Sequence, residues 1–178
     1  VASSIISSAE SIDSVKRDMR TFTPNALGLM ILLLILSFRS WTGTFLPLFV
    51  VGFSILWTFG LMAWLDISVP IIGGLIPIML IAIANNYGIH IISHYYEYTK
   101  LDQNLSRIEI LKRTMKRLGM PIFLAGVTTV ISFMSLITHE LSKVTEIGLL
   151  VSFGIAVSFF LSLLLIPAIL ILVPRPTY

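Results

Sequence analysis

The sequence predicts an all-α membrane protein, a polytopic bundle of five spanning helices, and three observations carry that prediction. Of 178 residues, 56% are apolar and only 12% charged, and the mean hydropathy of +0.96 lies outside the range of a water-soluble globule. Five stretches approach the roughly 20 apolar residues that a helix needs to cross bilayer hydrocarbon. The connections between them carry Lys and Arg mainly on one side, which sets an orientation. The formal charge of +3 is too small for a nucleic-acid footprint. The absence of cysteine excludes a disulfide framework, thiolate catalysis and Cys-ligated metals.

The chain opens at Val1 and reads as a piece of a longer protein. Residues 1–23 are polar, yet Ile5, Ala9, Ile12, Val15 and Met19 recur at helical steps, predicting an amphipathic helix at the end of an extracytoplasmic domain. The first span is expected at 24–38, with Pro24 in the first turn, where its missing N–H costs nothing. The second is expected at 44–65. The third, 70–95, has no Asp, Glu, Lys or Arg. A basic surface helix, with a solvated connector as the alternative, follows at 104–117, with Leu105, Ile108, Leu111, Met115 and Leu118 on one face and Arg107, Lys112, Arg113, Lys116 and Arg117 on the other. Ser106 and Glu109 have capping-box spacing at its start. On the inner leaflet, each of these five cations near anionic lipid would contribute about 1 kcal/mol. The fourth and fifth spans are expected at 119–138 and 144–173. Arg39, the basic residues from Lys100 to Arg117, and Arg175 share one side, which places the N-terminus outside and the C-terminus in the cytoplasm.

Polar side chains inside hydrocarbon are costly, so an ionisable group there is a functional candidate. Asn86, His90 and His94 are spaced i, i+4, i+8 and share one face of the third span, flanked by Asn85 and Tyr87. An imidazole with a reference pKa near 6.5 donates from one nitrogen and accepts at the other, as a proton relay requires. The same residues could instead bridge neighbouring helices by hydrogen bonds. Gly73, Gly74 and Pro77 weaken the outer half of this span, as a kink or a substrate path would. Ala125, Thr128, Ser132 and Ser135 form a small, weakly polar stripe on the fourth span, with Thr129 beside it. The fifth span has two rows of small residues, Gly148-Ser152-Ala156 and Gly154-Ser158-Ser162, expected as packing surfaces. Glu146 near its outer end reads as an interfacial carboxylate or a relay member. His90, His94 and Glu97 fall short of a zincin pattern, since Ile91 stands where that pattern needs Glu. No metal or cofactor is expected, and no acid, base and nucleophile converge as an enzyme would require.

Four segments carry a family resemblance: FRSW at the end of the first span, NNYGIHIISHYYE on the third, FLAGVTTVISFMSL on the fourth and EIGLLVSFGIAVSFFLSLLLIPAIL on the fifth. In this order they resemble the permease half of the resistance-nodulation-division (RND) superfamily, in the branch of large mycobacterial-type lipid exporters and sterol-sensing domains. The resemblance implies that the five helices are the second to sixth of a six-helix half, with the first helix upstream and residues 1–23 closing a porter-like domain. It implies a bacterial or archaeal cell (inner) membrane, with membrane lipids and a second permease half, in the same chain or an oligomer, as partners. It also implies export of lipids or other hydrophobic molecules, driven by proton entry. A sterol-sensing-like lipid-binding module without transport, or a protein-export accessory, are the alternatives. One departure matters. Where the family often places a proton-carrying Asp, this chain has Ala84-Asn85-Asn86-Tyr87. Asparagine cannot titrate, so coupling would fall to His90 or to the other half. The expected working face sets Asn86, Tyr87 and His90 against Thr128, Thr129 and Ser132.

Overall fold

The computed structural model describes residues 2–67, 74–102 and 104–173, with side chains described at Arg17, Arg20 and from Thr21 onward. Five α-helices run in antiparallel succession: α1 (Ala2–Phe38), α2 (Trp41–Trp64), α3 (Leu75–Leu101), α4 (Arg107–Met134) and α5 (Ser142–Leu172), with a short 3₁₀ turn, Ser135–Thr138, between α4 and α5. All five contain a segment long and apolar enough to cross a membrane. The α1–α2 and α3–α4 links and the C-terminal end of α5 lie at one end of the bundle. This is the basic end. Ser40 and Tyr96 join there through their hydroxyls at 2.8 Å, and Arg107 Nη1 donates to Val173 O at 3.1 Å.

α5 is the central post. It packs against α2, α3 and α4, while α1 touches only α2 and α3 among the described residues. Leu150, Ile155 and Ile166 of α5 and Ile76, Leu80, Ile91 and Ile92 of α3 are fully buried. The row Gly154-Ser158-Ser162 lies in this seam, as its small residues predict. Ser54 Oγ donates to Gly154 O at 2.6 Å across α2–α5, and Ser158 Oγ donates to Ala84 O at 3.0 Å across α5–α3. Such intramembrane bonds contribute about 0.6 kcal/mol each. Their geometry needs close helices, and a Cβ added at Gly154 would stand 2.5 Å from Thr58 Oγ1 and 2.7 Å from Leu80 Cδ2.

Three boundaries differ from the sequence expectation. α1 is one helix through Pro24, which lies in its interior rather than in a first turn. The helical backbone of residues 2–23 is described, but the side chains of Ile5, Ala9, Ile12, Val15 and Met19 lie outside the described residues. α3 starts at Leu75 with Gly74 as N-cap, so Pro77 occupies the first turn, where no partner carbonyl is lost. The expected interruption in the outer half of the span is therefore a helix start, and Gly73 lies outside the described residues. The basic segment 104–117 is not a separate surface helix. It is the opening of α4, continuous with the spanning part through Gly119 and Pro121. Its start does carry the expected capping box, with Ser106 Oγ accepting from Glu109 N at 3.2 Å and Glu109 Oε2 from Ser106 N at 2.9 Å.

Candidate functional site: the outward face of α3

One face of α3 is sealed into the bundle and the other is open. Leu80, Ala84, Ile91 and Tyr95 are buried, whereas Ala82, Asn86, His90, Ser93 and Glu97 are exposed at steps of four, four, three and four residues. Helical periodicity makes this a single stripe. Asn86 sits on its crest between two grooves. The groove toward α4, about 440 Å³, is lined by Asn86, Tyr87 and His90 facing Pro121, Ala125 and Thr129. The groove toward α1, about 370 Å³, is apolar apart from Asn85, Asn86 and Ser37.

Tyr87 anchors the first groove. Its ring is buried edge-to-face against Phe159, with centroids 5.8 Å apart, and Thr129 lines the same groove across from it. Thr129 Oγ1 donates to Ala125 O at 2.7 Å. Among the described residues the imidazole of His90 makes no hydrogen bond, and it lines the groove. Asn85 points elsewhere. It is 9% exposed, and its Oδ1 has no hydrogen-bond partner, an arrangement that typically costs about 1–3 kcal/mol.

The other sequence candidates fall outside this groove. Thr128 and Ser132 are exposed and donate to backbone of their own helix, Thr128 to Leu124 O at 2.9 Å and Ser132 to Thr128 O at 2.7 Å. The small stripe of α4 therefore faces outward, and close approach to α5 occurs instead at Gly126, against the ring of Phe159. His94 is half-buried with Nδ1 2.9 Å from Glu97 Oε2, an ion-pair distance without hydrogen-bond alignment. Glu146 pairs with Lys143 at 3.1 Å in the first turn of α5 and lines neither groove. Of the five basic residues of α4, three are tied to protein: Arg107 to the last carbonyls of α5, Arg113 to Asp102 at 2.9 Å, and Arg117 to the Tyr98 hydroxyl at 3.1 Å. Lys112 and Lys116 are exposed, without a partner among the described residues.

Sequence reasoning missed the groove wall made by Leu118, Pro121, Ile122 and Ala125. The signal was present: Leu111, Met115, Leu118, Ile122, Ala125 and Thr129 continue one helical stripe across the boundary drawn at Gly119.

What the arrangement offers is a neutral amide, a phenol and an imidazole converging on a groove open to the side of a membrane helix. Comparison with known proteins then decides the family. The profile of the MMPL family matches residues 1–177. The chain belongs to the MMPL family. With its five apolar helices, this MMPL chain is an integral membrane protein. It is 25% identical over 166 residues to a candidate membrane protein of Methanocaldococcus jannaschii, covering 92% of the chain and 42% of that relative. It is 24% identical over 155 residues to a candidate transport protein, MmpL8, of Mycobacterium bovis, covering 83% of the chain and 14% of the relative. A shorter match, 26% over 97 residues, reaches the sulfolipid-1 exporter MmpL8 of Mycobacterium tuberculosis, covering 54% of the chain and 9% of that protein. The MMPL chain thus spans under half the length of these relatives.

Proposed function

We propose that this chain is the membrane part of one half of an RND-type transporter that moves a lipid or another hydrophobic molecule outward, and not an enzyme. The observation that carries the reading is the exposed stripe Asn86-His90-Ser93-Glu97, which crosses much of a span. Lipid tails offer such groups no partners, so the stripe needs a second protein surface or a water-filled path. A second permease half, in the same chain or an oligomer, supplies both. The sulfolipid exporter among the relatives supports a lipid-like cargo. Since Asn86 cannot exchange a proton, His90 or the other half carries proton-driven coupling. In a transport assay with the full-length protein, Asn86→Ala and His90→Ala are each expected to lower transport strongly. Full retention by both would sink the reading.

A sterol-sensing-like lipid-binding module is supported by a different observation, the apolar groove between α1 and α3 with the unpaired Asn85 Oδ1 at its wall. That oxygen is sealed from solvent as it stands, so an amphiphile's hydroxyl would meet it only once the amide turns toward the groove. Asn85→Leu separates the two: it should weaken binding in a sensor and leave transport intact in an exporter.

The orientation belongs to the same proposal, with residues 1–23 closing an extracytoplasmic domain and the basic end in the cytoplasm of a bacterial or archaeal cell. These 178 residues contain no cysteine, so with any cysteine elsewhere in the full-length protein replaced, single labels are unambiguous. Lys116→Cys is expected to react with an impermeant maleimide only after the cells are opened, and Glu140→Cys in intact cells. The reverse pattern would invert the topology.

A further inference from the structure

The link between α1 and α2 is only Arg39-Ser40. Arg39 N donates to Ile35 O at 3.0 Å, and the backbone of Arg39 has φ 47°, a left-handed helix cap that glycine normally fills. An arginine here bears a conformational cost that glycine would avoid. Such strain at an exposed position directs attention to the side chain. The guanidinium is exposed and has no ion pair or hydrogen bond among the described residues.

The same residue closes one end of an apolar groove of about 580 Å³ between α1 and α2, walled by Ile31, Ile35, Phe45 and Leu48. Trp41 lies beside it, 81% exposed and stacked on Phe45 with ring centroids 5.4 Å apart. A second apolar cleft, about 430 Å³ and reaching Ile169 of α5, lies against the other side of the ridge formed by Phe45 and Leu48. The two apolar slots share the wall of Phe45 and Leu48, and the first of them is lined at one end by the unpaired guanidinium of Arg39 and the indole of Trp41. A helix packed over the slots would fill them only with side-chain ridges. It would also leave the guanidinium without an anion.

We propose that this is a binding site for one anionic phospholipid, its phosphate against Arg39 and its two acyl chains on either side of the Phe45–Leu48 ridge. Charge complementarity selects the headgroup, and the paired slots select a diacyl tail. The site is separate from the α3–α4 groove and from the lysines of α4, and it does not rest on the transport reading.

The test places p-benzoylphenylalanine at position 45 of the full-length protein in vesicles of equal parts phosphatidylglycerol and phosphatidylcholine, and identifies the photo-adducts by mass. The same probe at position 53, two turns along α2, is the reference for bulk lipid. Adducts at position 45 are expected to favour phosphatidylglycerol about fivefold, with no preference at position 53. The preference should vanish in Arg39→Gly, a change that suits the left-handed backbone and leaves the fold in place. An adduct with peptide rather than lipid, equal labelling of both lipids at position 45, or a preference that survives Arg39→Gly would each overturn the proposal.

Discussion

Gly154→Leu is expected to prevent accumulation of folded protein in the membrane, whereas Gly52→Leu, in the same bundle, should be tolerated. The contrast follows from what each side chain would meet. A Cβ at Gly154 would stand 2.5 Å from Thr58 Oγ1 and within 2.9 Å of both Leu80 methyls, and the carbonyl of Gly154 accepts the Ser54 hydroxyl. Relief would require α5 to move off α2 and α3 together, which would also break the Ser158–Ala84 bond. Overpacking a tight interior costs about 1–3 kcal/mol even for an added methylene or so, and leucine adds more than that. Around Gly52 there is open space within 4 Å, and a better helix former replaces glycine there at a gain of up to about 1 kcal/mol. Size-exclusion profiles and melting of the detergent-solubilised full-length protein read both variants. Equal melting of the two would show that the α2–α5 seam is not the packing centre described here.

The second large effect concerns transport and His90. A histidine that merely bridges helices through one bond contributes about 0.6 kcal/mol, or about threefold. Its imidazole makes no such bond within the described chain, so a purely structural account predicts less. If His90 carries protons or contacts cargo in the α3–α4 groove, His90→Ala should cost tenfold or more in transport, equivalent to about 1.4 kcal/mol. His90→Gln tells the two active roles apart, because glutamine keeps hydrogen-bonding capacity without a titrating nitrogen. Retained transport in His90→Gln assigns cargo contact. Loss equal to that of His90→Ala, together with a flattened dependence on external pH, assigns proton passage. Thr128→Ala and Ser132→Ala serve as internal references and are expected to change transport by less than about threefold, since each hydroxyl is already spent on its own helix.

How far the sequence could be read differs between elements, for physical reasons. Hydropathy located five spans because burial in hydrocarbon demands long apolar runs whatever the packing. It placed the third span at 70–95, but the described helix starts at Leu75 with Gly74 as its N-cap, which puts Pro77 in the first turn, where proline costs no hydrogen bond. It divided α4 at Gly119 because composition changes there, yet the backbone needs no break where a helix passes from a basic environment into an apolar one. Periodicity showed that Asn86 and His90 share a face and that Thr128 and Ser132 share another. It could not show that the two faces do not meet. A period fixes relative angles around one axis, and the rotation of α4 about its axis is set by Gly126 seating on Phe159. Thr129, one residue on from Thr128, therefore shares the groove with Tyr87. The row Gly154-Ser158-Ser162 of α5 was read correctly because close packing is the main use of small residues inside a bilayer.

The continuity of α4 makes it a lever. Its first turns are clamped by Arg107 to the end of α5, by Arg113 to Asp102 and by Arg117 to Tyr98. From Arg107 to Thr129 the rod extends about 33 Å at 1.5 Å per residue. Each degree of tilt about the clamp therefore displaces the Thr129 wall by about 0.6 Å. Forces applied to the basic end reach the groove beside Tyr87 as sideways motion, to the extent that the Gly119–Pro121 stretch between them does not bend.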